Sequence, residues 1–242
     1  MINEIKENFQ KILPEGYESV KLHCLKTLIY TNFLIEDLPL SKNEKKEILI
    51  AAYLHDIGKM KIPESILNKK DKLTESEYSL IKKHSEIGYG IILFLDAFYN
   101  NKNEKWSVIK NKYDMKIYDI SFEKIGKYVL QHHEKFDGSG YPYGLKKDEI
   151  FLYSQIISLA DVYDALTENR PYRPPLPVEK AFEIILSEKE KQFNPDVVDL
   201  FISKYYKFIE FKKQTENLSS STFKKSEETN PFVKQFLLEY LI

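Results

Sequence analysis

The side chains in this chain best suited to chemistry are its five histidines and a small group of aspartates. Imidazole and carboxylate are ligands that suit Fe, Mn, Zn or Ni. A single histidine on an apolar face is more often a hydrogen-bonded core residue than a ligand. Here, however, histidines recur with carboxylates in apolar segments such as AAYLHDIGK, QHHEKF and ISLADVYDAL. The histidines are His23, His55, His84, His132 and His133, and the carboxylates in these segments include Asp56, Asp161 and Asp164.

The number of candidate ligands favours more than one metal ion. Five imidazoles and two carboxylates exceed the coordination of a single six-coordinate ion. If Asp56 bridges two ions, the seven residues fill about eight of about twelve positions, and roughly four stay open for water and substrate oxygens. Open positions are typical of catalytic rather than structural sites. Two divalent ions outweigh two carboxylates in charge, so the pattern predicts an anionic substrate.

The segments that carry these ligands are predicted to be helices, because apolar residues recur at helical spacing and the chain has only eight glycines. Two helix starts carry capping boxes, Ser41 with Glu44 and Thr74 with Glu77. The histidines other than His55 are expected inside helices, away from their ends. The predicted helices span residues 17–36, 41 to about 58, 74 to about 94, 121 to about 134, about 150–169, 177–186 and 195 to about 210. The predicted fold class is all-α.

Composition bears on compartment and partners. The 242 residues are 43% hydrophobic, which allows a sizeable core, and the net charge of −1 disfavours nucleic-acid or anionic-membrane binding through bulk charge. No apolar run approaches the roughly 20 residues of a membrane span. The one cysteine, Cys24, excludes an intramolecular disulfide and fits a reducing compartment. We therefore expect a cytoplasmic protein with no nucleic-acid or membrane partner.

Several segments, taken in order, resemble the HD-GYP subgroup of the HD-domain phosphohydrolases. HD is His55-Asp56, and GYP is Gly140-Tyr141-Pro142. The similar text lies within residues 20 to 202 and comprises LHDIGKMKIPESILNKKDKLTESEY, KKHSEIG, QHHEKFDGSGYPYGLKKDEI, ISLADVYDALTENRPYR and FNPDVVDLF. The HD pair alone is a weak signal, whereas all these motifs in this order make chance agreement negligible.

The resemblance implies a fold and an activity. Members of this family are similar in having an all-helical HD-domain bundle with a GYP loop and a di- or trinuclear metal centre. They hydrolyse cyclic di-GMP, a bacterial second messenger, to linear pGpG and sometimes onward to GMP. We expect the reaction to use a metal-activated hydroxide that attacks phosphorus in line. Fe or Mn is the favoured metal.

The resemblance also implies roles for single residues. By match to the family's motifs, Asp56 resembles the bridging carboxylate, and the implied metal ligands are His23, His55, Asp56, His84, His132, His133 and Asp161. Catalytic or substrate-binding roles fall on Asp56, Lys59, Gly140, Tyr141, Pro142, Arg170 and Arg173. The alternatives are a solvated helix-end lysine, surface ion pairs for the arginines and a simple turn for the glycine. Asp164, three residues after Asp161, is a candidate to orient a ligand histidine or relay a proton, with a capping hydrogen bond as the alternative.

The chain departs from the family pattern at two places. Trinuclear members resemble one another in having a glutamate one turn before the upstream histidine, and Ser19 stands at that position here. Glu18 is adjacent, but one residue along a helix turns a side chain by about 100°. We therefore predict two metal ions and inefficient conversion of pGpG to GMP. The second departure is an Asn/Lys-rich insertion at 97–120, which is a candidate lid, dimer contact or partner site, or else a tolerated surface excursion.

The resemblance and the composition together divide the chain into segments. Residues 1–16 are predicted as a short N-terminal helix and 17–210 as the HD-GYP domain. Residues 211–229 are predicted as a linker and 230–242 as an amphipathic C-terminal helix, which we expect to pack rather than bind membrane.

Two other functions stay open from the sequence. One is an HD phosphohydrolase that acts on a different nucleotide, against which the GYP loop argues. The other is a catalytically weak module that binds a partner. Only Ser19, which stands where a ligand glutamate is expected, supports this alternative. Docking of diguanylate cyclase domains on the GYP loop is compatible with catalysis, and a homodimer also stays open.

Overall fold

The computed structural model describes residues 18–100, 120–169 and 173–215, and in these ranges it forms helices and turns without a β-strand. The all-α prediction is therefore confirmed. We number the α-helices of these ranges α1 to α9 and the two 3-10 helices η1 and η2. They are Glu18–Ile35 (α1), Lys42–Leu54 (α2), Ile57–Lys61 (η1), Glu64–Leu67 (α3), Glu75–Lys82 (α4), His84–Asn100 (α5), Phe122–Gln131 (α6), Lys147–Glu149 (η2), Leu152–Thr167 (α7), Val178–Ser187 (α8) and Pro195–Thr215 (α9).

Helix α1 runs through the core and packs against α2, α7 and α9. The Tyr30 ring of α1 stacks on Phe208 of α9 with ring centroids 4.8 Å apart and meets the edge of Tyr163 of α7 at 5.0 Å. Burial of each such ring contributes about 1.5–3 kcal/mol. On the other side, α6 packs against α2, α5 and α7. The helices that carry the candidate ligands therefore surround one core.

The predicted helix starts are confirmed at both capping boxes. The Ser41 hydroxyl accepts from the Glu44 amide at 3.2 Å, and the Glu44 carboxylate accepts from the Ser41 amide at 3.0 Å. Thr74 and Glu77 exchange the same two bonds at 3.2 and 2.7 Å. Such pairs satisfy amide donors that the first turn leaves unbonded. Ser121 also caps α6, as predicted.

Three predicted helices end or break earlier than expected, each at a histidine. Helix α2 stops before residue 58, the predicted helix over 74–94 is divided into α4 and α5, and α6 stops before residue 134. The expectation that His84, His132 and His133 lie inside helices is therefore wrong, because His84 begins α5 and the other two follow α6.

Hydrogen bonds from imidazole to backbone explain these helix ends. In each case the ring Nδ1–H donates to the main-chain carbonyl three residues earlier and competes with the helical amide for that acceptor. The Nδ1–O distances are 2.8 Å for His55 on Ala52, 2.7 Å for His84 on Ile81 and 2.5 Å for His132 on Val129.

A close backbone approach at Gly58 holds two of these ends together. Gly58 lies in η1, and a Cβ placed on it would be 1.9 Å from the His84 carbonyl oxygen and 2.7 Å from the Gly88 nitrogen. Only a residue without a side chain fits there. The contact brings the segment that carries His55 and Asp56 against the first turn of α5.

Several predicted boundaries differ from the observed ones or fall on residues that are not described. Helix α9 continues through Thr215, so residues 211–215 are helical rather than linker. Helix α5 extends through Asn100, into the predicted insertion. The rest of the insertion (101–119), the remaining linker (216–229) and the predicted terminal helices lie outside the described residues. No described helix combines the length and apolar character that crossing a bilayer requires.

Candidate metal centre

All seven predicted ligands converge in the structure and form two adjoining groups. Within each group, one donor atom per residue lies within 4.8 Å of every other. All seven side chains are buried except that of His133, which is partly buried. The first group is Asp56, His84, His132 and His133, and the second is His23, His55 and Asp161.

The Asp56 carboxylate lies between the two groups. Its Oδ1 is 3.3 Å from His84 Nε2 in the first group. Its Oδ2 is 3.5 Å from His55 Nε2 and 3.6 Å from His23 Nε2 in the second. One oxygen faces each group, as the bridging role expected for Asp56 requires.

The histidine tautomers aim lone pairs into both groups. A carbonyl oxygen can only accept, so the backbone bonds of His55, His84 and His132 fix the hydrogen on Nδ1 and leave Nε2 bare in the neutral ring. His84 Nε2 and His132 Nε2 then face each other at 3.4 Å. Facing lone pairs at this distance repel unless a cation lies between or beside them.

Burial keeps most of these imidazoles neutral. Loss of solvation lowers the pKa of His84 to about 4 and that of His133 to about 3. The same cause lowers the pKa of His55 and His132 below the usual range. Neutral imidazole is the form that binds a metal ion, so these four rings are ready to coordinate at neutral pH.

His23 differs from the others because carboxylates face both of its ring nitrogens. Its Nδ1 is 2.6 Å from Asp164 Oδ2, and its Nε2 is 2.9 Å from Asp161 Oδ1. Burial lowers the His23 pKa, but the hydrogen bonds to Asp161 and Asp164 outweigh it, and the pKa rises to about 9. Asp164 thus fixes the His23 ring, as expected of a residue that orients a ligand.

The two carboxylates remain ionised despite their burial. Desolvation alone would raise the pKa of Asp56, but the positive charge of the nearby Lys59 ammonium holds it well below the usual range. Lys59 Nζ is 2.5 Å from Asp56 Oδ2. Asp56 Oδ1 is fully buried and has no hydrogen-bond partner among the described residues. An unbonded buried carboxylate oxygen is expensive, and together with the bare imidazole nitrogens it fits a pair of divalent cations.

Cys24 lies beside this centre, which sequence reasoning did not foresee. Its thiol joins His55 and Asp56 in a third group of close donor atoms. Burial, and then the charge of Asp56, raise the pKa of this thiol well above its usual range. In the metal-free protein it is therefore a protonated thiol at neutral pH.

The GYP loop lies directly against the ligands. The Tyr141 amide donates to the His133 carbonyl at 3.1 Å, and the Tyr141 ring is 4.7 Å from the His133 ring. A Cβ on Gly140 would be 2.3 Å from the Lys135 nitrogen, so this position requires glycine. The peptide bond between Tyr141 and Pro142 is cis. The predicted substrate loop and the predicted metal ligands therefore form one continuous site.

Glu134 holds that loop in place, and sequence reasoning assigned it no role. It directly follows the histidine pair and is 2% exposed. Its carboxylate accepts from the Tyr143 amide at 2.7 Å and from the Leu145 amide at 3.0 Å. The only signal in the sequence was its place in the HHE motif.

We expect Glu134→Ala to lower the free energy of unfolding by about 1–3 kcal/mol, because two amides would lose their acceptor. Urea denaturation followed by circular dichroism measures the change. Glu149→Ala is the matched control, since Glu149 also accepts a backbone amide, from Lys146 at 2.8 Å, but at an exposed site. Equal effects of the two substitutions would contradict the role given to Glu134.

Of the two arginines predicted to contact phosphate, the structure describes only Arg173. Arg173 is partly buried, and its guanidinium donates to the Ala165 carbonyl of α7. Its Nε is buried without a hydrogen-bond partner among the described residues. Arg170 lies outside the described residues. Ser19 is exposed in the first turn of α1 and supplies no carboxylate to the centre.

Comparisons with known proteins identify a family and several relatives of this chain. The family model described as "HD domain" matches residues 21–197. A cyclic di-GMP phosphodiesterase of Thermotoga maritima is 37% identical over 169 residues, which are 70% of this chain and 40% of that protein. A cyclic di-GMP phosphodiesterase response regulator of Xanthomonas campestris is 36% identical over 168 residues, 69% of this chain and 38% of that protein.

Two further similarities bear on substrate and on fold. A 3'3'-cGAMP-specific phosphodiesterase of Vibrio cholerae is 32% identical over 206 residues, 85% of this chain and 35% of that protein. The chain thus spans 40% or less of the length of these three relatives. Among solved structures, an HDG"Y"P protein from Bdellovibrio bacteriovorus matches with a TM-score of 0.53 at 18% identity, over 82% of this chain and 58% of that one. This last likeness supports the fold alone.

Proposed function

Since the chain belongs to the HD-domain family, in its HD-GYP subgroup, we propose that it is a phosphodiesterase that hydrolyses cyclic di-GMP to linear pGpG. Relatives named for this activity support the substrate, and this chain covers 40% or less of their length. The observation that carries the proposal is the Asp56 carboxylate, which faces both groups of bare imidazole nitrogens, beside a loop that carries Tyr141.

HD-domain phosphohydrolases are metal-dependent, and the residues of this centre suit two divalent ions. The donor set suits Fe, Mn, Zn or Ni, and the resemblance to the HD-GYP subgroup favours Fe or Mn. His84, His132 and His133 would hold one ion, and His23, His55 and Asp161 the other, with Asp56 shared. When bound, such ions activate water as a nucleophile and offset charge on a phosphoryl group. We propose two ions rather than three because Ser19 supplies no carboxylate.

The remaining residues act on the substrate and on the ligands. Lys59, whose ammonium lies against Asp56, would bind a non-bridging phosphate oxygen. Arg170 and Arg173 would add guanidinium donors. Asp164 orients His23 and accepts its Nδ1 hydrogen at 2.6 Å. Gly140 allows the loop to approach, so that Tyr141 and Pro142 pack against the bound nucleotide.

Metal binding is expected to release about one proton per chain at pH 7. The pKa of His23 is raised to about 9 in the metal-free protein, so the ring carries an extra proton at pH 7 that a metal ion displaces. The contribution of His23 to this release should fall towards zero as the pH rises through about 9, because the ring is then already neutral.

Calorimetric titration with Mn(II) in two buffers of different ionisation enthalpy measures this release. Asp164→Asn removes one of the carboxylates that raise the His23 pKa, and it should reduce the release at pH 7. No proton release from the wild-type protein at pH 7 would contradict the assignment of His23.

Hydrolysis of cyclic di-GMP tests the proposed function. Protein loaded anaerobically with Fe(II) or Mn(II) is incubated with cyclic di-GMP or 3'3'-cGAMP, and the products are separated by liquid chromatography. We expect pGpG from cyclic di-GMP, with slow onward conversion to GMP. Faster turnover of 3'3'-cGAMP would favour the second candidate function, which the similarity to a 3'3'-cGAMP-specific enzyme raises. No turnover of either by fully metal-loaded protein would refute the proposal.

Binding partners remain part of the proposal. The GYP loop presents Tyr143, which is 60% exposed, as a contact for a diguanylate cyclase domain. Such docking is compatible with catalysis, because the Tyr143 side chain faces solvent while its amide is held by Glu134. A homodimer and a cytoplasmic location complete the proposal.

A further inference from the structure

We propose that Tyr78 and Lys82 of α4, with Tyr141 of the GYP loop, bind the half of the cyclic dinucleotide that is not being cut. In this inference Lys82 pairs with the spectator phosphate and Tyr78 stacks on the adjoining purine. The inference rests on the proposed function and extends its substrate site along α4.

The geometry joins these three side chains to the metal ligands through a row of neighbouring contacts. The Tyr141 ring is 4.7 Å from the His133 ring and 6.4 Å from the His84 ring. Lys82 Nζ is 5.9 Å from the Tyr141 ring centroid and 5.1 Å from the Tyr78 ring centroid. A ligand anchored between the imidazoles would therefore lie beside Tyr141, and the Lys82 ammonium is close to both the Tyr141 ring and the Tyr78 ring.

Helix α4, which carries Tyr78 and Lys82, is tied to the metal centre by short connections. Lys82 is two residues before His84, and the turn between α4 and α5 is the break that the His84 ring makes with the Ile81 carbonyl. Tyr78 and Lys82 are four residues apart and share one face of α4. The Thr74–Glu77 capping box fixes the start of the same helix. The spacing between the metal ligands and this row is therefore set by backbone structure.

Both side chains are available to a ligand. Tyr78 is 49% exposed although it is a large aromatic residue. Lys82 makes no ion pair within residues 18–100, 120–169 and 173–215, whereas Lys59 and Lys69 are paired with Asp56 and Glu77. An ammonium held over aromatic faces keeps its charge for an incoming anion.

The chemistry of a cyclic dinucleotide matches this row. The molecule carries two phosphodiesters and two purines, so one phosphate at the metal centre leaves a second anion and a second planar base to be bound. An unpaired ammonium suits that phosphate, and an exposed tyrosine ring suits the flat face of a purine, with stacking that contributes a measurable part of affinity.

Calorimetric binding of the bisphosphorothioate analogue of cyclic di-GMP to metal-loaded protein tests the inference. Lys82→Ala should weaken binding about tenfold through loss of one charge-assisted contact. Lys83→Ala is the matched control, because Lys83 is the neighbouring exposed lysine, and it should stay within about twofold of wild type. Tyr78→Ala should also weaken binding about tenfold, while Tyr78→Phe, which keeps the ring, should not.

The outcomes separate this inference from the proposed function. Wild-type affinity in Lys82→Ala, or equal losses in Lys82→Ala and Lys83→Ala, would overturn the inference even if cyclic di-GMP is hydrolysed. Loss of bound metal in Lys82→Ala would also overturn it, because the residue would then support the centre rather than the ligand. Binding that depends on Lys82 without any hydrolysis would uphold the inference and refute the proposed function. Absence of binding to wild-type protein would refute both.

Discussion

Replacement of Asp56 by alanine is expected to lower the turnover of cyclic di-GMP by about a thousandfold or more. Asp56 faces both groups of ligands, with Oδ1 3.3 Å from His84 Nε2 and Oδ2 3.5 Å from His55 Nε2. Its loss would remove the shared anionic ligand, so that one group would keep only neutral imidazoles and the other would keep a single carboxylate, that of Asp161. Loss of a single well-placed electrostatic group costs about 10²–10³ in rate, and here one group serves two ions.

Three measurements on one preparation check this expectation. Turnover and metal content should both fall in Asp56→Ala, while the far-ultraviolet circular dichroism spectrum should stay helical. Asp199→Ala is the control, because Asp199 is an exposed aspartate of α9 whose ion pair with Lys189 lies at the surface. Turnover by Asp56→Ala at the level of Asp199→Ala would contradict a bridging role.

Gly58→Ala is expected to disrupt the centre from outside the ligand set. The added Cβ would lie 1.9 Å from the His84 carbonyl oxygen, which is main chain and cannot rotate away. Either η1 or the first turn of α5 must therefore move, and His84 would separate from His55 and Asp56. Overpacking of this kind typically costs about 1–3 kcal/mol and occasionally more, so we expect the free energy of unfolding to fall by at least about 3 kcal/mol.

Gly90→Ala is the matched control for that substitution. Gly90 lies in α5, six residues after His84, and a Cβ there would meet nothing within 4 Å. Alanine in a helix interior is more favourable than glycine by about 0.5–1 kcal/mol, so this variant should be slightly stabilised. Denaturant unfolding of both variants, with metal content measured in parallel, gives the comparison. Similar stability of the two variants would contradict the close packing of η1 on α5.

Local sequence patterns predicted the helices well where the determinants were local. Both capping boxes form because each needs only residues three apart, and Ser41 and Thr74 cap as expected. The helix ends at His55, His84 and His132 were mispredicted, because apolar spacing continues past each histidine. There a bond from the ring to a carbonyl three residues back competes with the helix, and hydrophobic periodicity does not record it.

The candidate site was predicted by residue type, and its geometry required the fold. Sequence spacing placed Asp164 on one helix face with Asp161, and the structure adds its partner, His23, which is 141 residues away. The roles of Glu134 and Cys24 depend on contacts between distant segments or on burial beside the centre, so no periodic pattern marks them. Gly58 is a further case, since its need for glycine arises from the backbone of α5.

The number of metal ions bound per chain tests the central claim most directly. Protein reconstituted anaerobically with Fe(II) or Mn(II), freed of excess metal and measured by mass spectrometry, should carry two ions per chain, and the Asp56→Ala variant should carry fewer. Two ions would agree with two groups of ligands that share Asp56. One ion or none in the wild-type protein would contradict the dinuclear centre, and three would contradict the inference drawn from Ser19.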